Sequence, residues 1–504
     1  MPICGAERET MSDDLTAEDK DLEPGEPEFD PVAAARQLWN WHREELPRLE
    51  NIYEHLHERR GLPNLPKDVS EEVKRIRDVS FMNVLSLVRD AFAQNLSVVG
   101  FRSNVSGENS PAWSAWQRNR MDARQAEIYR PALTYGASYV AVLADEQGRA
   151  VFRPRSPRQM IAVYADSQVD EWPEMALEMW YETRGRERIL KGNLFTETMV
   201  YPLWLGRVMA PETAPKRIMP RPNGEPFAHG ASHCPVVRFV NQRDTEEVVV
   251  GEVEPLLNMQ KQINEVNFDR LIVSRFGAFP QKVISGWQGT AQEVLAASAR
   301  RVWTFEDPDV KAQSFAAADP AAYTAVINDK FEHVAMLAQI SPAQVTGQIV
   351  NVSAEALAAA EANQQRKLSN LRESYGESIE QMLRLAAEIE GNAEDATDDE
   401  AEVIWRDTEA RSFGAIVDGV TKLAATGVPV VELLHMVPGM TQQAIRNLRA
   451  LMKTQTLMQE LREKAEAAKA DPTVADLANR TVPATEGGTN ADPGGNSTVP
   501  IDAN

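Results

Sequence analysis

The chain has 504 residues, of which 75 are acidic and 53 basic, giving a net charge of −22; 43% are hydrophobic and 25% charged. That is the composition of an ordinary soluble protein with room for several domains. Its acidity excludes a protein that wraps nucleic acid through clustered Lys and Arg, though not one past which DNA slides. Cys4 and Cys234 are too few and too far apart for a disulfide framework or a cysteine-built metal site, which points to a reducing compartment. No run approaches the roughly 18 apolar residues of a membrane span, and the acidic start lacks the form of a signal peptide, so the chain is expected to be soluble where it is made.

Residues 1–30 are acidic and poor in aromatic residues, and read as a disordered tail in which Met11 is a second candidate start. From Pro31 to about Arg60, Leu38, Trp39, Leu46, Leu49, Ile52, Tyr53 and Leu56 recur at helical spacing, predicting one or two packing helices. Val73 to Leu96 predicts another helix and Ala112 to Leu133 a third, stopped by Gly136. Between about 137 and 241 the pattern changes to short β-rich runs: "SYVAVLAD", "AVFRP", "MIAVYAD", "MALEMWYE", "TMVYPLWLG" and "PVVRFVN".

Helical spacing returns from Val253 to about Phe276, where Gln260, Gln262, Asn264, Asn267 and Asp269 are expected on a polar surface. A second helix is predicted from Pro320 to Gln339, with Tyr323, Ile327, Phe331, Val334 and Leu337 on one side. The strand-like pieces "QKVISGW" and "RVWTFED" lie between them. Residues 340–352, "ISPAQVTGQIVNV", read as a polar loop. A helix of roughly 37 residues, about 55 Å long, follows from Ser353 to Glu390. Its second half has a seam of Leu368, Leu371, Tyr375, Ile379, Met382, Ala386 and Ile389, whereas Leu357 is the only large apolar residue in "AEALAAAEANQQRK". Gly376 is expected to weaken or bend it. Beyond the acidic loop "GNAEDATDDEA", "EVIWRD" alternates like a strand; three helical segments then run to Ala470, and residues 471–504 read as a disordered tail.

Catalytic chemistry finds no footing. His42, His55 and His57 read as a solvated helix surface, and His233-Cys234 as structural because it precedes a buried strand. Phosphate-binding, zinc-protease, dinucleotide and nucleophile-elbow motifs do not occur. The carboxylates of "DATDDEA" read as a solvated loop rather than a calcium site. The chain is expected to be no enzyme, with neither metal nor cofactor.

What distinguishes the sequence is the order of its parts, and in that order it resembles the portal proteins of tailed bacteriophages, those with long non-contractile tails, over roughly residues 31–470. "PVVRFVNQRD" followed by "GEVEPLLNMQKQINEVNFDRLIVSRFGAFPQKVISG" resembles the family's strand, Asn and first stem helix. "ISPAQVTGQIVNVSAEALAAAEANQQRK" is similar to its loop and channel helix, and "EVIWRDTEARSFGAIVDGVTKLAATGV" to the strand and crown helices after it.

The resemblance implies an α+β, predominantly helical portal-type fold with wing, stem, clip and crown regions. In this sequence those become an α/β wing at 31–250, a first stem helix at 251–276, a clip at 277–319 and a second stem helix at 320–339. A channel loop at 340–352, a channel helix at 353–390, a loop and wing strand at 391–410 and a helical crown at 411–470 complete it. It also implies a ring of about twelve subunits at one capsid vertex, through which double-stranded DNA is packaged and ejected without sequence specificity. Implied partners are the terminase large subunit, a head-tail adaptor, and the major capsid and scaffolding proteins, with no membrane; the location is the virion, after assembly in the host cytoplasm. Gln344, Thr346, Gln348, Asn351, Ser353, Gln364, Gln365 and Arg366 become candidates to face the DNA. Trp287, Trp303 and Phe305 become candidate packing or interface residues of the clip. The alternative reading is a helical scaffolding or internal head protein without a channel.

Overall fold

The computed structural model describes residues 29–470 except 59, 107–109, 186, 210–217, 247–248, 278–281, 286–310, 315–318, 348–353, 407, 409–412, 435–436, 438–439 and 441. The chain divides into two compact units, residues 1–419 and 420–504.

In the first unit, helix α1 (Pro31–His57) starts at Asp30, whose carboxylate accepts from Val32 N, with Pro31 at the first helical position where its missing N–H costs nothing. It is one helix, not two. The single helix expected over 73–96 is instead α2 (Glu71–Val79) and α3 (Val84–Ala93). The break is built by Asn83, which caps α3 by accepting from Ser86 N at 3.1 Å. The helix expected over 112–133 is likewise split, into α4 (Pro111–Arg118), α5 (Met121–Arg124) and α6 (Ala126–Tyr135). Arg120 takes a left-handed backbone (φ 56°), and Asn119 is occupied by Ala150 O and Phe152 N.

The β-rich region forms two antiparallel sheets. Strands β2 (Ala137–Ala144) and β3 (Ala150–Arg155) pair in the order β10–β2–β3 with β10 (Val236–Val240). The second sheet contains β4 (Met160–Val163), β5 (Met175–Arg184), β6 (Glu187–Phe195), β7 (Met199–Met209) and β8 (Arg221–Pro222) in that order, with β9 (Phe227–Ala228) also on β7. Strand β6 was not legible in "ERILKGNLF", whose Lys, Gly and Asn hide the alternation. Its Gly192 is required: a Cβ there would sit 2.6 Å from Glu178 O. Also illegible was β1 (Val98–Arg102), which pairs with β13 (Glu402–Trp405).

Three apolar clusters hold these layers together. Helices α3, α4 and α6, the C-terminal half of α1, and the inner faces of β2, β3 and β10 share one core with the second half of the long helix Ala354–Ile389. The N-terminal half of α1 covers one face of the larger sheet with Ala35, Leu38 and Trp39 against Leu177, Leu190 and Leu203. Tyr139, Met160, Phe195, Val200 and Cys234 fill the space between the sheets. Burial pushes the free Cys234 thiol well above its ordinary pKa, which suits a packing role.

Helix α7 (Leu257–Gly277) and the helix Pro320–Ala338 pack on each other, flanking a two-stranded sheet of β11 (Lys282–Ser285) and β12 (Lys311–Ser314). Leu337, expected on the buried side, is 54% exposed; Ala335 and Ala338 occupy that side instead. In the second unit, Val430–Leu433 is a short helix and Gln442–Ala470 a long one that buries Ile445 but exposes Leu451, Met458 and Leu461.

Four polar side chains expected in solvent, those of His42, His55, Asp395 and Asp398, are buried. His42 is 2% exposed, its Nε2 hydrogen-bonded to Pro157 O at 2.8 Å, and burial lowers its pKa so that it stays neutral. His55 is bonded through Nδ1 to Asn51 O, whereas His57 is exposed and lies against Tyr53. In the acidic loop, Asp395 accepts from the Ser106 and Ser110 hydroxyls, and Asp398 from Ser103 Oγ and Asn104 N. Burial opposes the charge on Asp398, but these donors together hold its pKa below the usual value. The loop is therefore a polar clasp on residues 103–106 and 110–112.

Candidate functional site at the junction of the long helices

Four segments converge beneath the polar stretch that starts at Ile340: the C-terminus of the Pro320–Ala338 helix, the entry to α7, the end of α3, and the middle of the Ala354–Ile389 helix. The Pro320–Ala338 helix begins at Asp319, which accepts from Ala321 N at 2.8 Å, and ends at Gln339 in a left-handed backbone (φ 59°). Ile340 N then donates back to Ala335 O at 3.0 Å, which turns the chain sharply. Residues expected as loop form a helical turn at Pro342–Thr346, ended by Gly347 at φ 68°; Pro342 opens the turn, and the Thr346 hydroxyl donates to its carbonyl.

The turn is tied down by amides. Gln344 Nε2 donates to Gln364 Oε1 at 3.0 Å, and Gln364 Nε2 donates to Ala91 O at the end of α3 at 3.3 Å. Gln364 is 2% exposed, with both ends of its amide engaged. Of the eight residues expected to face DNA, its side chain is thus turned into the protein. Gln344 and Arg366 are exposed, Gln365 and Thr346 half-buried. Gln348, Asn351 and Ser353 lie outside the described residues, as do Trp287, Trp303 and Phe305.

One turn further along, Lys367 Nζ pairs with Glu252 Oε2, donates to Ala338 O at 3.4 Å, and lies 5.0 Å from the centre of the Phe92 ring. Both side chains are largely buried. The second Glu252 oxygen accepts from Asn241 Nδ2 at 3.1 Å, and Tyr375 donates its hydroxyl to Asn241 Oδ1 at 3.1 Å. Burial, then the charge of Glu252, raises the Tyr375 pKa well above its ordinary value, so the hydroxyl remains a donor. Residues 249–252 reach this position by crossing tightly over the α6–β2 turn. A Cβ on Gly251 would lie 2.4 Å from Thr134 O, and one on Gly136 (φ 96°) 2.8 Å from Val249 C.

Helix α7 is held by a ladder that the sequence reading assigned to solvent. Gln260 is 1%, Asn264 0% and Asn267 4% exposed. Gln260 Oε1 accepts from Val84 N at 2.9 Å, Asn264 Oδ1 from Met82 N at 3.0 Å, and Asn267 Nδ2 donates to Ser80 O at 2.7 Å. Asn264 Nδ2 also reaches Gly61 O. These amides satisfy backbone groups between α2 and α3 that would otherwise be buried unpaired. The available signal was their spacing of four and three, the period of a buried seam. Lys367 and Glu252 gave no comparable signal, because their partners are distant in sequence.

The junction offers hydrogen bonds and one buried ion pair, an arrangement for fixing helices and for presenting the polar turn. Among the described residues, no group of three or more His, Cys, Asp or Glu is placed to hold a metal ion, and no helix is long and apolar enough to cross a membrane. Rigid helices carrying a polar turn suit a structural protein.

A family model described as phage portal protein, SPP1 Gp6-like, matches residues 35–470, and the chain belongs to that family of structural virion-head proteins rather than to an enzyme class. It is 25% identical over 368 residues to the portal protein of Mycobacterium phage D29, covering 68% of this chain and 72% of that one. Against the portal protein of Mycobacterium phage L5, identity is 25% over 370 residues, with the same coverage. Membership implies an oligomeric, capsid-associated protein and sets the scaffolding alternative aside.

Proposed function

We propose that the chain forms a ring of about twelve copies at one capsid vertex and that double-stranded DNA is packaged and ejected through its centre. Residues 31–250 serve as the wing, with the loop and strand of 391–410. Residues 251–276 and 320–339 are the stem helices, 277–319 the clip that docks the terminase large subunit during filling and an adaptor afterwards, 340–352 the channel loop, 353–390 the channel helix, and 411–470 the crown. Assembly takes place in the host cytoplasm with the major capsid and scaffolding proteins.

The observation that carries this reading is the junction, where the polar turn carrying Gln344 is anchored through Gln364 to α3 and backed by the Lys367–Glu252 pair. The residues of 340–353 include no Lys or Arg, so the stretch can touch phosphates without holding them. An acidic wall repels DNA and keeps it sliding. Apolar residues left exposed on the stem (Phe276, Val326, Met336, Leu337) and on the long helix of the second unit (Leu451, Met458, Leu461) supply the contacts between neighbouring copies that a ring requires.

Deleting residues 345–351 is the test. Rings are expected to assemble normally, while nuclease-protected DNA in the heads falls severalfold. Normal filling would remove the channel-loop assignment.

A further inference from the structure

Away from the junction, the β4–β5 connection, the exit of β10 and the outer face of the Ala354–Ile389 helix enclose two adjoining cavities of about 250 and 290 Å³. Arg238 and Arg243 line both. The Arg238 guanidinium carbon lies 4.6 Å from the centre of the Tyr164 ring, and one of its NH2 groups donates to Ser167 O at 3.4 Å. Gln168 closes the rim by donating to Thr245 O at 2.7 Å, and Val240 and Val249 add an apolar wall. Tyr164, Arg238 and Arg243 line the second cavity together; burial raises the Tyr164 pKa, and the positive charges of both arginines act against that rise.

Arg384, in the second cavity, is paired with Glu171 and Asp399. Among the described residues, neither Arg238 nor Arg243 has a carboxylate partner, although the chain carries a large surplus of acids. Two guanidinium groups brought together repel unless an anion sits between them.

The lining says which anion. The first cavity sets two arginines against Asp244 alone, a surplus of one positive charge; in the second, three arginines face Asp170, Glu171 and Glu377. A phosphate dianion exceeds the surplus of one, and a DNA strand would bring its neighbouring phosphates against Asp170, Glu171 and Glu377 as well, whereas one carboxylate matches the surplus and can be forked by a guanidinium. The valine wall suits the methylenes of its side chain.

We propose that this cavity receives a single Glu or Asp side chain from a neighbouring copy of the chain, which completes the site. The choice of donor rests on the oligomeric reading above.

The experiment uses the full-length chain with Arg238→Gln/Arg243→Gln and Glu377→Gln variants, their folding checked by circular dichroism. Binding of N-acetylglutamate N-methylamide is followed by saturation-transfer NMR at a protein concentration below the assembly midpoint, where no neighbouring copy fills the pocket. The expected result is saturable binding by the wild type, at least about fivefold weaker in the double arginine variant, about twofold tighter in Glu377→Gln, and not displaced by inorganic phosphate at matched ionic strength. Absent binding, binding indifferent to these substitutions, or displacement by phosphate would overturn the pocket. Mass photometry then tests the donor: the double variant is expected to need at least about fivefold more protein to assemble, and an unchanged midpoint overturns the neighbouring copy as source. A wild type that stays monomeric refutes the ring reading and that donor together, while the probe titration still decides the pocket.

Discussion

Gln339 holds a left-handed backbone at the end of the Pro320–Ala338 helix, with its side chain exposed. A residue with a Cβ is strained there, and glycine is not. Gln339→Gly is therefore expected to stabilise the chain by about 1 kcal/mol, read as a raised Tm in thermal denaturation. Gly376 teaches the reverse lesson. Its sequence position predicts a weakened helix, yet the helix runs through it, and a Cβ there would make an ordinary contact with Val403 Cγ2 at 3.4 Å. Glu380, one turn on, accepts from Val403 N at 3.0 Å. Burial raises its pKa to about 6; the Val403 N–H opposes that rise, and the charges of Glu377 and Glu402 add to it. A carboxyl whose folded pKa is raised binds its proton more tightly in the folded state, so it favours folding as pH falls from about 6 towards its ordinary 4.5 and disfavours folding above that window. Glu380→Gln, which can still accept from Val403, is expected to raise Tm at pH 7.5 and to lose that advantage at pH 4.5. Equal gains at both pH values would count against this assignment.

At the scale of elements, the junction depends on one buried ion pair where several segments meet. Removing Lys367 leaves Glu252 buried and unpaired, which costs about 3–5 kcal/mol, whereas removing both charges is far milder. Thermal melting of Lys367→Met should show a large loss, and Lys367→Met/Glu252→Gln should recover much of it. If the single variant melts like the wild type, the pair does not hold the junction. The seam from Leu368 to Ile389 predicts the long helix because apolar spacing reports the buried face directly. The helix break at 119–120 is hidden because Asn119 acts through Ala150 and Phe152, distant in sequence, whereas the break at 80–83 does carry a local signal, the Asn83 cap on Ser86 N, which the apolar spacing on either side masks. Gln260, Asn264, Asn267, Asp395 and Asp398 were placed in solvent because polarity alone does not reveal a buried backbone group waiting for a partner.

For the whole molecule, the order of parts was the legible feature: a β-rich region, two helices around a strand pair, a polar turn and a long helix of two characters. That order led to the portal family, which the match over residues 35–470 establishes. Which residues form the site was less legible, since Gln364 is spent inside the protein and the Lys367–Glu252 pair joins positions 115 residues apart. The second unit leaves Leu451, Met458 and Leu461 uncovered, as the Pro320–Ala338 helix does Met336 and Leu337. A chain with this exposed apolar surface suits the oligomeric assembly that membership of the family implies. Cryo-electron microscopy of the purified protein, with mass photometry on the same sample, tests this most directly. The account predicts rings with a central hole wide enough for duplex DNA and a mass about twelve times the 56.1 kDa chain. A compact, closed particle without a channel would contradict it.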